Sequence, residues 1–425
     1  MSGFICIVTE TLPAGLLPQI GNGLEVSQAL AGQTVTAYAV GSLLAAIPLT
    51  IATSSWRRRN VLLLTLAGFL VFNMVTAVSN NYWLTLTSRF FAGVAAGLAW
   101  SLLAGYARRM VSPDQQGKAM AIAMVGAPIA LSLGVPIGTW LGAAVGWRAT
   151  FWIMSALTVA LVFWVIAKVP DYPGSKGGRI PLTKVLKTPG VLSVLAVVIM
   201  WMLAHNILYT YIAPFVAPAG LSNRVDLVLL VFGITALAGI GVTGKLVDRA
   251  LRKTVLASLL VFAMIALAFA LLPASPTLVF TGVAIWGLTF GGAATLLQTA
   301  LADTAGDGAD VALSMNVVAW NSAVAGGGIV GGILLNTYGV SSFSWAVVLL
   351  LIVGLILAWR ARSRGFPQAT DHPAPKSLDT KISPRILISR PSNIDNAIAH
   401  SLARRLITHN LLRYVIEPPH RKPHL

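Results

Sequence analysis

Residues 89–105, RFFAGVAAGLAWSLLAG, place one arginine at the head of an apolar run and a small residue at every fourth position behind it: Gly93, Gly97, Ser101 and Gly105. Positions four apart share one helix face, so these residues form a groove that admits a second helix at close range. A guanidinium at membrane depth costs about 2.5 kcal/mol or more, so Arg89 must face the protein interior and a partner there. The stretch predicts a helix packed among helices inside a bilayer.

The rest of the chain agrees. Of 425 residues 56% are apolar and only 10% are charged, which excludes ordinary soluble domains and points to a polytopic membrane protein. Twelve apolar runs of about 17–25 residues recur as far as residue 359, each long enough to cross a bilayer as a helix. Strict period-two alternation is absent, so the runs are helices and not barrel strands. The expected fold class is an all-α integral membrane protein with twelve transmembrane helices.

A formal charge of +17 would suggest a nucleic-acid partner in a soluble protein, but here the cations sort by loop. They crowd the second-to-third connection (Arg57, Arg58, Arg59), the fourth-to-fifth (Arg108, Arg109, Lys118), the sixth-to-seventh (Lys168, Lys176, Arg179, Lys184, Lys187) and the eighth-to-ninth (Lys245, Arg249, Arg252, Lys253). The alternate connections carry only Arg148 and Arg224. The positive-inside rule then places both termini in the cytoplasm. One loop dissents, with Asp303, Asp307 and Asp310 and no cation. No nucleic-acid partner is expected. Cys6 is the sole cysteine, so neither a disulfide framework nor a cysteine metal site is expected. Residues 4–20 read as a first span and not as a signal peptide. It is short, as in a chain begun downstream of its original start.

Within that span Pro13, Gly15 and Pro18 weaken regular hydrogen bonding, and Glu10 is the one acidic side chain inside any span. The fifth span carries Gly126, Ala130, Gly134, Gly138 and Gly142 four apart, with Pro136 among them, a close-packing stripe with a kink. A shift of 194 residues lays Arg59 on Lys253, Gly93 on Gly287, Gly97 on Gly291, Gly134 on Gly328 and Gly138 on Gly332. Two six-helix halves of the same orientation follow, related by a pseudo-two-fold axis along the membrane normal, with a solute cavity between them. The expected division is 1–168, a cytoplasmic linker 169–190, 191–362, and a cytoplasmic tail 363–425. The tail holds five of the six histidines and many prolines and is expected to be disordered or loosely membrane-bound, with a basic amphipathic stretch at 397–416.

These residues resemble the major facilitator superfamily, and within it the bacterial twelve-helix drug and metabolite proton antiporters, which include sugar-efflux, purine-nucleoside-efflux and chloramphenicol-exporter groups. The resemblance covers about residues 7–362. It is carried by Gly244-x-x-x-Asp248-Arg249-x-x-Arg252-Lys253 after the eighth span and by its degenerate counterpart Arg57, Arg58 and Arg59, which lacks the aspartate. Arg89-x-x-x-Gly93, Gly134-Val-Pro136-Ile-Gly138, Gly146-Trp147-Arg148-x-x-Phe151 and Thr9-Glu10 add to it. It implies alternating access driven by protons, a small-molecule substrate, a monomer in the bacterial inner membrane and no cofactor. It also implies that Arg89 modulates protonation or contacts substrate, and that Asp248 with Arg249 stabilises one conformational state.

Glu10 stands in an apolar span, where desolvation makes the charged carboxylate expensive and fits the group to exchange protons. Its bland alternative is a permanent structural partnership with Arg89 or a hydroxyl. Arg89 likewise has a purely structural alternative, hydrogen bonds to backbone carbonyls. Candidate substrate contacts are the polar and amphipathic groups inside later spans: His205, Asn206, Tyr209, Trp286, Gln298, Asn316, Trp320 and Asn321. Aromatic residues near span ends also serve as interfacial anchors.

Two glycine runs, at 239–244 and 326–331, mimic a dinucleotide fingerprint but lack its strand-turn-helix setting. No Walker loop, zinc-protease motif or nucleophile elbow occurs. An enzyme is therefore not expected, and an ion gradient is the remaining source of work. The expected activity is export of a sugar, nucleoside or amphipathic drug in exchange for protons. The alternatives are proton-coupled uptake and a non-transporting receptor or scaffold.

Overall fold

The computed structural model describes residues 1–112, 115, 119, 122–174, 182–362 and 364–366. Among these the regular structure is helical throughout. Ten helices are long and apolar enough to cross a membrane, and a pair bent by 75°, Ser2–Gly15 and Leu17–Leu24, makes an eleventh crossing. The helix Val225–Leu271 has 47 residues, about 70 Å at 1.5 Å per residue, more than twice the hydrocarbon thickness. It breaks at Ala250 (φ −146°, ψ 31°) and supplies both the eighth and the ninth span, which brings the total to twelve.

Local chemistry sets the ends. Ser27, Asn81 and Ser275 cap the second, fourth and tenth spans, each accepting from the amide three residues on, at 3.2, 3.0 and 3.3 Å. Gly146 and Gly339, at φ 93° and 76°, turn the chain from the fifth to the sixth span and from the eleventh to the twelfth, a conformation that penalises any side chain. In the fifth span a π-helical turn, Ala130–Gly134, precedes Pro136 at the start of Val135–Val145, so the expected kink is a local change of helix type. The stripe on that span packs against the first: Gly126, Gly134, Gly138 and Gly142 face Phe4, Val8, Leu12 and Leu16 in turn.

The internal repeat is visible in the contacts. A Cβ on Gly93 would strike the backbone of Tyr38, and one on Gly287 the backbone of Phe232; Gly97 meets Ser42 as Gly291 meets Ala236. Each pair is its counterpart shifted by 194 positions. Gly134 and Gly328 also align but do different work, since Gly134 packs on the first span whereas Gly328 faces Thr36 of the second span, across the two halves.

One expectation is corrected. The basic stretch 244–253 is not an open loop: helix runs through Gly244 and Asp248 up to the break at Ala250. Lys245, Leu246 and Arg249 are good helix formers, and neither glycine nor proline stands between Gly244 and the break at Ala250. Beyond the twelfth span, Arg364, Gly365 and Phe366 fold back on the Ala361 carbonyl (3.4, 3.0 and 3.0 Å), and Phe366 is fully buried. The amphipathic stretch 397–416 lies outside the described residues.

Candidate functional site

Pro13 interrupts the hydrogen-bond ladder of the first span, the helix that carries buried Glu10. A proline has no amide hydrogen, so the carbonyl of Thr9, four residues earlier, loses its helical partner. Arg89 supplies one instead: Nη2 donates to the Thr9 carbonyl at 2.5 Å and to the Glu10 carbonyl at 3.4 Å, while Nε donates to the Thr34 carbonyl at 3.4 Å. The guanidinium is fully buried, 5.0 Å from the Tyr38 ring centroid and 5.6 Å from that of Phe151. Tyr38 donates its hydroxyl proton to the Cys6 carbonyl at 2.9 Å, and Asn73 donates to the Thr9 hydroxyl at 3.2 Å. Arg89 therefore grips the backbone around the carboxylate and not the carboxylate itself.

Glu10 is 8% exposed. Among the described residues no ion pair within 4.0 Å joins its carboxylate to Arg89. Its electrostatic neighbours are Arg89, Cys6 and Tyr38 in its own half and Tyr209 on the seventh span. The helix that carries Glu10 packs on the seventh span, in the other half, as well as on its own half.

On the other side three of the expected substrate residues come together. His205 stacks on Phe290 (centroids 3.6 Å apart, 6° between planes) and on Tyr209 (5.1 Å), with Trp286 at 5.3 Å and Phe232 at 5.6 Å. Trp286 stacks in turn on Phe262 at 5.7 Å. The His205 Nδ1, the Tyr209 hydroxyl and the Trp286 Nε1 are buried without hydrogen-bond partners among the described residues. An apolar aromatic wall with a few unspent polar atoms is what a site for a flat, hydrogen-bonding solute requires.

The remaining candidates are placed elsewhere. Asn206 and Asn321 donate to their own helix, to the carbonyls of Met202 (2.8 Å) and Val317 (2.9 Å). Asn316 is buried, and its Oδ1 has no hydrogen-bond partner among the described residues. Trp320 packs on the small cluster of Val35, Ala39, Val324 and Ala325 between the second and eleventh spans. Gln298 is exposed on the short helix Ala293–Ala305, beyond a break at Gly292.

Phe232, Phe290, Tyr38 and Asn73 were not singled out from sequence. A signal for two of them existed, since Tyr38 and Phe232 are 194 positions apart and lie at equivalent places, one under Arg89 and the other against His205 and Trp286.

The basic motifs grip helix ends. Arg252 donates to the last carbonyls of the twelfth span, Ala358 (3.1 Å) and Trp359 (2.9 Å), where the helix dipole favours a cation. In the first half Arg57 pairs with Asp171, just past the sixth span, and Asp171 accepts the Arg59 amide at 3.1 Å. Arg58 bonds the Ser54 carbonyl, and its amide donates to the Tyr172 carbonyl at 2.8 Å. The Arg57 guanidinium hydrogen-bonded to Asp171 holds that carboxyl below its usual range. Gly244 faces open space, and Asp248 and Arg249 are exposed. At the opposite end Arg148 joins the Gly23 and Ser79 carbonyls and the Asn80 side chain at 3.3, 2.9 and 2.7 Å.

The family model described as Major Facilitator Superfamily matches residues 1–327. The chain belongs to the Major Facilitator Superfamily. Its curated relatives include the purine ribonucleoside efflux pump NepI of Shigella sonnei (strain Ss046), 30% identical over 363 residues, 84% of this chain and 91% of that protein. The NepI of Escherichia coli O6:K15:H31 is also 30% identical, over 367 residues with the same coverage. A solved structure with this fold is the human organic anion transporter MFSD10 (TETRAN), with TM-score 0.63 and 16% identity, over 84% of this chain and 97% of that one. This member of the superfamily is a multi-pass membrane transporter of small molecules.

Proposed function

We propose that this transporter exports a purine nucleoside or a related flat heterocyclic solute in exchange for protons, by alternating access. The observation that carries the coupling half of the proposal is the division of labour around Pro13. Arg89 directs Nη2 to the carbonyl that the proline strips bare, and among the described residues no ion pair within 4.0 Å ties it to Glu10, the one acidic side chain read inside any span. Protonated and ionised Glu10 then have different affinities for the two access states, the one way a proton can shift such an equilibrium. The solute half rests on the aromatic wall of His205, Phe290 and Trp286 with its unspent polar atoms, and on the purine ribonucleosides named for the relatives. Residues 1–168 and 191–362 are the moving halves, joined by 169–190, with the basic loops on the cytoplasmic side of a bacterial inner membrane.

The test uses proteoliposomes with a trapped pH dye and an imposed pH gradient. Inosine, guanosine and adenosine should drive proton movement in the wild type, whereas a sugar and a phenicol drug should not. Glu10→Gln should bind solute yet move no protons. Unimpaired proton-coupled flux in Glu10→Gln would overturn the assignment, and proton movement in the direction of solute uptake would make the protein a symporter.

A further inference from the structure

The glycine-rich stretch of the eleventh span, Gly326 to Gly332, has no place in the solute site described above. It makes a socket. The seventh span ends at Thr210, and Tyr211 (φ −109°, ψ 34°) leaves the helix before Ile212–Val216 resumes. Its ring, fully buried, enters a slot in which Gly32 of the second span and Gly331 and Gly332 of the eleventh take the place of side chains that would collide with it.

The hydroxyl at the bottom of the slot reaches the Gly328 carbonyl at 2.7 Å and the Ala29 carbonyl at 3.2 Å. It accepts from Gln33 Nε2 at 3.0 Å, and the same amide donates to the Gly328 carbonyl at 3.0 Å. Three of these contacts cross between the halves: Gln33 to Tyr211, Gln33 to Gly328 and Tyr211 to Ala29. All lie at the end of the bundle away from the basic loops.

We infer that Tyr211 and Gln33 form a latch that holds the two halves together at the end opposite the basic loops and must be undone in each transport cycle. The inference rests on the alternating-access reading. Parting the halves at this end would draw the ring from its socket and separate two side-chain donors from backbone acceptors on the facing half. Each donor keeps an acceptor in its own half, Tyr211 on the Gly328 carbonyl at 2.7 Å and Gln33 on the Ala29 carbonyl at 3.3 Å, so the bias toward the state closed here is the loss of the three crossing bonds. The ring fixes register, and the hydroxyl and amide supply the bias. This gives the glycines of the eleventh span a shape-specific role, since a methyl group at Gly331 or Gly332 would meet Tyr211.

The experiment measures distances between spin labels in the full chain, without solute, in a Cys6→Ala background that removes the one native thiol. One pair sits at the latch end on exposed Asn22 and Asn336, the other at the basic end on exposed Asn60 and Lys253. Tyr211→Phe keeps the ring and removes the hydroxyl; Gln33→Ala removes two of the three crossing bonds and leaves the ring alone. Each should raise the fraction of molecules with the longer Asn22–Asn336 distance about five- to tenfold, the effect of losing one or two buried hydrogen bonds, with a matching shortening between Asn60 and Lys253. If both variants keep the wild-type distribution within twofold, or lose thermal stability without altering it, the contact is a static brace and the latch is wrong. Should Tyr211→Phe fail to fold, Gln33→Ala decides. Because no solute is needed, unchanged distances beside intact nucleoside export would sink the latch alone, and absent export would leave the distances readable.

Discussion

Pro13 and Arg89 are far apart in sequence and act as one unit. The proline bares a carbonyl and the arginine covers it, so each residue explains the other's presence in lipid. Arg89→Ala should cost about 1–3 kcal/mol, the price of a buried polar group left unpaired. In a Pro13→Ala background the helix can bond the Thr9 carbonyl itself, and the same substitution should cost at least about 1 kcal/mol less. Unfolding of the four proteins in detergent measures the coupling, and additive effects would show that the two residues act separately. Both parts of this arrangement were legible: Arg89 demanded an interior partner, and Pro13 implied an orphaned carbonyl. Joining them needed the third dimension, because nothing in sequence spacing says which arginine faces which proline.

Among the elements, the glycines divide into those that fill a contact and those that do not. Gly93→Ala and Gly287→Ala push a methyl into the backbone of the neighbouring span, and each should destabilise the fold by about 1–3 kcal/mol. Gly244→Ala meets nothing within 4 Å, and as a helix-interior change it should stabilise by about 0.5–1 kcal/mol. Thermal unfolding compares the three. If Gly244→Ala raised stability and still slowed transport, the motif residue would act in a conformation other than this one. The contacts of Asp171 with Arg57 and the Arg59 amide offer a pH test. A depressed carboxyl lends stability in full above its unfolded value, near pH 4, and loses it as pH falls through the lower folded value. Hydrogen exchange at the Arg58 and Arg59 amides, corrected for intrinsic rates, should therefore keep its protection from pH 5 to 8 and lose it below about pH 4. Asp171→Asn should abolish that acid step. The basic clusters were marked in the sequence but their targets were not, because Asp171 lies beyond the next four spans.

For the molecule as a whole, the twelve crossings and the two-fold repeat were legible because hydrophobic length and helix-face spacing are properties of the chain itself. The shift of 194 survives into atomic contacts at Gly93 and Gly287. The aromatic wall was only partly legible: His205, Tyr209 and Trp286 declared themselves as amphipathic groups inside spans, whereas Phe232 and Phe290 look in sequence like any lipid-facing phenylalanine. Gln298, Trp320 and Asn321 were equally conspicuous, yet they lie on faces apart from that wall. Polarity inside a span reports that a side chain needs a reason, not which reason.

The helix that continues past Gly244 to Ala250 has a consequence for chain length. Helical residues keep angular phase, and each one turns the next by about 100°. The face of the eighth span toward the tenth and the face of the ninth toward the twelfth are thus set by a fixed count of residues through a single bend at Ala250. One residue added between 244 and 249 would rotate one limb against the other and turn its packed face toward lipid. The same insertion between 53 and 57, where the helix has already ended in turns, would be absorbed. In the second half the counterpart of a loop is a gear tooth, and its spacing is as constrained as any buried side chain.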